Sequence, residues 1–306
     1  MFSKSERRFG IELEYNAFDG QSRSKAENEL PSGIYELANA LVKSTNLSVE
    51  INKWSYTNNN DRWVLKPDSS CGIEVCSPPM RGKNGCFNFY ETLKSFVNHP
   101  DVEADGRCSM HVHIEIEDFA QTEIAYLISK WIQCEPLFFI ITDKDRWINQ
   151  YCIPLGLSHT FDDEEPIQIF SAIEKLSQYK YYAINFYHYI KNRKKTVEFR
   201  CMGNDACVIP EDAYNWLKLI ICFVDRCKGT SLFDPIRPEY RKISEIVDLL
   251  DIVDYFDEDE IIIWLISKLS RVLHDNLQSQ HYWQAYVNFS REDIIYTIEK
   301  LEAYLL

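Results

Sequence analysis

Four short segments constrain this chain most, because in each of them apolar side chains alternate with acids, histidines or an arginine. In FGIELEY (Phe9 to Tyr15), Phe9, Ile11, Leu13 and Tyr15 alternate with Gly10, Glu12 and Glu14. GIEVC carries Glu74, SMHVHIEIE carries His111, His113, Glu115 and Glu117, and TVEFRC carries Glu198 and Arg200. A period of two sends successive side chains to opposite sides of a β-strand, so each segment has one apolar and one polar face. Strands of this kind belong in antiparallel sheets that pack one face on a core.

The polar faces have an unusual composition. A solvated sheet face mixes Thr, Ser, Lys and Arg with acids, whereas acids and histidines dominate here. Carboxylates two residues apart on a strand stand roughly 6.6 Å apart and repel by about 2.5 kcal/mol at an effective dielectric near 20. A divalent cation reverses the sign of that interaction. Because carboxylates outnumber imidazoles, a hard ion such as Mg²⁺ or Mn²⁺ suits the set better than Zn²⁺, which prefers nitrogen and sulfur ligands. The His-x-His pair taken alone does not distinguish metal ligands from ordinary strand histidines.

The rest of the chain reads as strands and amphipathic helices. Ser32 is a candidate cap for a helix carrying Ile34, Leu37, Ala38 and Leu41 at helical spacing. VEINKWSY and RWVLK flank the turn-rich TNNND and predict a hairpin. Pro78 and Pro79 end the Glu74 strand, and a helix with Phe89, Leu93, Phe96 and Val97 follows. Thr122 is expected to open a long apolar helix that Pro136 ends or kinks. YYAINFYHY and TVEFRC surround the basic tip KNRKK, and Pro210 starts a helix closed by Arg226, Lys228 and Gly229. Beyond about residue 230 only helices are predicted, the last capped by Ser290. The expected fold class is therefore α+β, with a catalytic domain over 1–230 and a C-terminal helical extension over 231–306.

Several function classes are disfavoured. The net charge of −14 argues against a nucleic-acid backbone as ligand and leaves amines, basic peptides and metal ions. No Gly-x-x-x-x-Gly-Lys-Ser/Thr or Gly-x-Gly-x-x-Gly loop follows a strand, so any nucleotide must be held by metals and arginines, with Arg200 placed for that. There is no Gly-x-Ser-x-Gly elbow. The ten cysteines show no Cys-x-x-Cys spacing, no apolar run reaches membrane-spanning length and no leader is evident, so a cytoplasmic protein with reduced thiols and no membrane association is expected. The acidic stretch Asp162 to Glu165 is a candidate attractor for an amine.

Taken in order, Gly10-x-Glu12-x-Glu14, Asp68-Ser69-Ser70 before Gly72-Ile73-Glu74 and Ser77-Pro78-Pro79, Ser109-Met110-His111-Val112-His113, and Thr196-Val197-Glu198-Phe199-Arg200 resemble the successive motifs of the amidoligases, a branch of the glutamine-synthetase-like carboxylate–amine ligases. The resemblance spans about residues 9 to 220. It implies a curved antiparallel sheet of the glutamine-synthetase catalytic type with packed helices, forming a metal-lined funnel. There, ATP would phosphorylate a small-molecule or peptide carboxylate and an amine would displace phosphate from the acyl phosphate. It also implies ATP and Mg²⁺ or Mn²⁺ as cofactors. Carried over by position, Glu12, Glu14, Glu74, His111 and Glu198 would be metal ligands, Glu198 thereby taking part in catalysis, and Asp68 a further ligand or a base. His113 would lie near the ATP phosphates and Arg200 would stabilise charge on the transferred phosphoryl group. Arg146 would bind a substrate carboxylate, and Arg193 in the basic tip would reach nucleotide phosphates. The N-terminal domain and ring-forming surfaces of glutamine synthetase have no counterpart, and the tail after residue 230 falls outside the match. The alternatives are a metal-dependent hydrolase or phosphotransferase on the same scaffold, and a non-catalytic module that binds a cation or a basic peptide.

Overall fold

The computed structural model describes residues 5–17, 30–45, 48–52, 61–147, 149–157, 179–230, 242–250, 259–274 and 290–306. The stretch from Asp162 to Glu165, the segment with Pro235 and Pro238, and Asp257 with Glu258 lie outside these residues. The chain forms two compact units, one comprising 6–114 and 202–218, the other 1–5, 115–201 and 219–306.

The first unit is built on β1 (Arg8–Asn16), α1 (Ile34–Thr45), β2 (Val49–Ile51), β3 (Trp63–Asp68), β4 (Gly72–Cys76), β5 (Met80–Arg81), α2 (Gly82–Phe96) and β6 (Met110–Glu115). Its strands run in the order β2-β3-β4-β1-β6, with β5 also paired to β1. β1 is antiparallel to β4, β5 and β6, and β3 is antiparallel to β4. β2 differs: Val49, Glu50 and Ile51 pair in parallel with Trp63, Val64 and Leu65. The hairpin expected there is therefore not formed, because a tight turn can reverse a chain but cannot join parallel neighbours.

The apolar faces define the core of this unit. Phe9, Ile11, Leu13, Tyr15, Leu65, Ile73, Val75, Met110, Val112 and Ile114 are all buried. Phe96 of α2 meets Tyr15 edge-on at 5.4 Å, and Gly85 of the same helix lies against Met80 and the Phe9 ring. Burying Phe9, Ile11 and Leu13 contributes about 5–9 kcal/mol, more than the repulsion between neighbouring acids on the opposite face. Hydrophobic burial thus decides which way β1 faces, and the acids are gathered as a consequence. The turn between β3 and β4 is fixed by Asp68, whose Oδ1 accepts from Ser70 N at 2.7 Å and Cys71 N at 3.2 Å. Gly72 follows at φ +126°, where an added Cβ would come within 2.6 Å of Ala17 N, so this corner admits only glycine. α1 starts at Ile34, one residue later than a Ser32 cap would set.

The second unit contains α3 (Gln121–Ile140), β7 (Ile184–Asn185), most of β8 (Thr196–Met202), the C-terminal half of α4 (Pro210–Cys227), α5 (Ile243–Leu249), α6 (Asp259–His274) and α7 (Arg291–Ala303). Trp131, Phe138, Phe199 and Phe223 form its aromatic core, with centroid separations of 4.8 to 6.4 Å. α3 runs through Pro136 to Ile140 rather than ending there. It begins at Gln121, where Glu123 accepts from Ala120 N at 2.7 Å. The buried Glu135 fastens the following turn to the helix by accepting from Leu155 N at 2.8 Å and Gly156 N at 2.7 Å.

The segment before β8 contributes only Ile184 and Asn185 as strand, and Tyr187–Ile190 is a helical turn. α5 packs on α3, and α7 packs on α5 and α6, so the described helices after residue 230 share a unit with residues 115–201. Ser290 caps α7 as expected, accepting from Asp293 N at 3.1 Å. Asp293 in turn accepts from Ile243 N at 2.6 Å and Ser244 Oγ at 2.7 Å at the start of α5. The architecture is mixed α+β with mostly antiparallel strand pairing, and no described helix is long and apolar enough to cross a membrane.

Candidate active site

Strand register assembles the polar face of the first unit. Glu12 stands opposite His111 on β6 and Cys76 on β4, Glu14 opposite Glu74, Glu74 opposite Lys66 on β3, and His113 opposite Gly10. Directly opposed residues have Cβ atoms about 4.5–5.5 Å apart, and like charges so placed are destabilising. The Glu14–Glu74 pair is such an arrangement. The side chains converge: His113 Nε2 lies 3.1 Å from Glu12 Oε1, His111 Nδ1 3.6 Å from Glu12 Oε2, and His111 Nε2 3.7 Å from Glu14 Oε1. Ser109 Oγ donates to Glu14 Oε2 at 2.6 Å and lies 2.9 Å from His111 Nε2, joining the two side chains.

Two features indicate that this face suits a cation. First, potential ligand atoms of Glu12, Glu74 and Cys76 lie within 4.8 Å of one another, as do those of Glu14, Asp68 and Cys71. Second, His113 Nε2 is buried without a hydrogen-bond partner despite its proximity to Glu12. A cation at the carboxylates would give this nitrogen a better-aligned partner. The oxygen-rich donor set fits Mg²⁺ or Mn²⁺.

The charge balance is visible at Glu74. Burial and the nearby charge of Glu12 push its carboxyl up to about 7, although Lys66 pulls the other way. Lys66 Nζ is 2.7 Å from Glu74 Oε1. Burial disfavours the charged form of this lysine, but the charges of Glu74 and Glu12 outweigh that and raise its pKa. Asp68 behaves differently. Its carboxyl is held below the ordinary value because, against burial, hydrogen bonds from Ser70 and Cys71 stabilise the anion. A carboxylate occupied in this way is a weak base.

The expected residues of β8 lie in the second unit. Arg200 Nη1 is paired with Glu198 Oε1, and Asn185 Nδ2 donates to Glu198 Oε2 at 2.7 Å, so both oxygens of Glu198 have donors. Arg200 Nε donates to the Tyr151 carbonyl at 3.3 Å, and Arg200 N donates to the Ala183 carbonyl at 2.8 Å. Arg146 is buried, and its Nη2 donates to the Arg200 carbonyl at 2.7 Å. Its observed contact is thus with the backbone of β8. Arg193 is exposed at the tip, with its guanidinium 5.8 Å from the centre of the Tyr187 ring.

Three polar residues of the first unit were given no role from the sequence: Lys66, Cys76 and Ser109, the last named only within its motif. Each extends an alternation already visible, since Lys66 is two residues before Asp68, Cys76 two after Glu74, and Ser109 two before His111. Period two was sufficient to place them on the acid face.

The sequence model of a family described as "Putative amidoligase enzyme" matches residues 5–206, more than half of the chain. The chain belongs to this amidoligase family. No curated protein matches the sequence. Among solved structures, it is similar to the crystal structure of a bifunctional glutathione synthetase from Pasteurella multocida, with 10% identity and a TM-score of 0.39. That alignment covers 98% of this chain but 46% of the other, so the chain spans less than half the length of that enzyme.

Proposed function

We propose that this protein is an ATP-dependent carboxylate–amine ligase that forms an amide bond through an acyl phosphate and releases ADP and phosphate. Family membership supports the reaction class. The observation that carries the reading is the acid and histidine face, with the buried His113 Nε2 3.1 Å from Glu12 Oε1. The reading includes a glutamine-synthetase-like type of sheet and a catalytic portion over 1–230, with 231–306 as a helical extension.

In this reading Glu12, Glu14, Glu74, His111 and Glu198 are metal ligands, and Ser109 orients Glu14 and His111. Divalent ions held there would neutralise the phosphates of ATP and the charge developing during transfer. His113 stands on the phosphate side. Arg200, its plane fixed by Glu198 and the Tyr151 carbonyl, is assigned to the transferred phosphoryl group. Arg146 acts by holding the Arg200 backbone as well as by any contact with a substrate carboxylate. Arg193 is a candidate contact for nucleotide phosphates, and Asp68 a further ligand through the oxygen its turn does not use.

The test supplies purified protein with ATP, Mg²⁺ and a panel of carboxylates and amines, and follows ADP and phosphate. Release should require both substrates, and hydroxylamine in place of the amine should yield a hydroxamate. ADP formed without any amide or hydroxamate would point to a hydrolase or phosphotransferase. No binding of Mg-ATP in calorimetry would point to a non-catalytic cation-binding module.

A further inference from the structure

Among the described residues, Lys66 is a cation on the acid face, and its position is informative. Lys66 and Glu74 are direct cross-strand partners on β3 and β4, so the register itself presses the ammonium onto the carboxylate. The pair is closed, with Nζ 2.7 Å from Oε1 and side-chain exposures of 17% and 11%. Cys76 Sγ donates to the same Oε1 at 3.1 Å. The Glu12, Glu74 and Cys76 group of potential ligands therefore already has an ammonium on one of its oxygens. The β1–β6 part of the face is built differently: from Gly10 to Glu14 and from His111 to His113, no outward position is Lys or Arg. An ammonium and a divalent ion on one carboxylate oxygen repel each other at contact distance, so Lys66 opposes a divalent ion at Glu74 Oε1.

We propose that Lys66 is a resident counter-cation that occupies the Glu74 arm of the face and competes with a divalent ion for it, which makes Lys66 a determinant of how many ions the site takes and how tightly. The proposal rests on the metal-binding part of the functional reading and not on amide formation. When the Glu74 arm is closed, the β1–β6 carboxylates and histidines form the first ion position. Opening of the Lys66–Glu74 pair creates the second. The lysine also keeps Glu12, Glu14 and Glu74 from repelling one another while no ion is bound, a stabilising role that ends when an ion takes over.

The experiment is a titration of the full chain with Mn²⁺ alone, read by calorimetry and by the electron paramagnetic resonance signal of free Mn²⁺. Lys66→Met keeps the apolar stem and removes the charge. It should bind one more ion per chain than the wild type, or bind the weaker ion at least about tenfold more tightly, the low end of what neighbours of metal ligands contribute. Equal stoichiometry and affinity in both proteins, or weaker binding by the variant, overturns the role of Lys66 and leaves the metal reading intact. No Mn²⁺ bound by either protein overturns both.

A second measurement needs no substitution and covers the case in which the variant misfolds. Amine-reactive labelling of the wild type, mapped by peptide mass spectrometry, should increase at Lys66 when Mn²⁺ is added, because the displaced ammonium moves toward solvent. Unchanged or reduced labelling at Lys66 overturns the proposal.

Discussion

Glu74 on β4 and Glu198 on β8 are both buried carboxylates in alternating strands, yet their surroundings are opposite in kind. Each oxygen of Glu198 has a donor from its own unit: Arg200 on Oε1 and Asn185 on Oε2. Arg200 is held in turn by the Tyr151 carbonyl and, through its backbone, by Arg146 and Ala183. Glu74 shares its face with Glu12 and Glu14, and its Oε1 meets the ammonium of Lys66. The β8 pair is balanced within the protein, which suits a guanidinium that must keep one orientation. On the acid face Glu12, Glu14 and Glu74 stand close together, which suits a site completed from outside. Two strands with the same alternation can therefore hold their carboxylates differently, and the cross-strand partner decides how.

The largest effect that would test this contrast is on stability. Removing one member of a buried ion pair leaves the other uncompensated and costs about 3–5 kcal/mol, so Glu198→Ala should strongly lower the denaturant midpoint of the ion-free protein. Glu14→Gln should leave that midpoint unchanged or raise it, because it relieves the repulsion from Glu74. Similar losses from both substitutions would erase the distinction. The next effect is on ions. Glu14→Gln should weaken Mn²⁺ binding by at least about 100-fold, the upper end of what outer-sphere partners of metal ligands cost, since Glu14 is proposed to coordinate directly. Calorimetry measures this, and a change of less than about tenfold would move Glu14 out of the ligand set.

How far the sequence reveals such a contrast depends on which facts are local. The alternation of β1, β6 and β8 was legible because period two is written into consecutive residues, and Glu12, Glu14, His111 and His113 do gather on one face. The partners were not legible, because register is set by contacts between distant residues. Lys66 is 8 residues from Glu74, and nothing local states that the two are opposed. Ser109 reaches Glu14 across 95 residues. Asn185 was passed over as ordinary strand sequence, although it completes the shell of Glu198. The hairpin expected between β2 and β3 failed for the same reason, since the turn signal of TNNND is local and strand direction is not. Pro136 shows the limit of local rules in a helix. Its neighbours Trp131, Leu137 and Phe138 are fully buried, and tertiary packing carried the helix past the proline.

A third test uses pH to separate the two regions. Folding raises Glu74 from the ordinary carboxylate value of 4.5 to about 7, so between these values the folded protein binds more protons than the unfolded chain. Unfolding free energy should therefore fall as pH rises through that window, with a slope of at most about 1.4 kcal/mol per pH unit for one proton. Any stability that this group contributes is present below the unfolded value and lost as pH passes the folded one. Glu74→Gln should flatten the slope, and Mg²⁺ should restore stability most at the upper end of the window. A slope that persists in Glu74→Gln would place the titration elsewhere.

The smallest expected effect is that of Arg193, set against Arg200 in the same unit. Arg193 sits on an exposed tip beside Asn192, which has a positive φ of 52°, and its described neighbour is the Tyr187 ring. Arg200 is locked between a carboxylate and a carbonyl. An exposed charge contact is worth about 0.2–1 kcal/mol, so Arg193→Ala should raise KM for ATP by no more than about fivefold, with kcat unchanged. Stability should stay within about 0.5 kcal/mol of the parent. Arg200→Ala should instead lower kcat by about 100-fold or more, because its charge acts on the transferred group. A kcat loss in Arg193→Ala comparable to that of Arg200→Ala would mean that the tip folds over the nucleotide during turnover and acts on the reacting phosphate. The division between an orienting half-buried arginine and a merely attractive exposed one would then have to be given up.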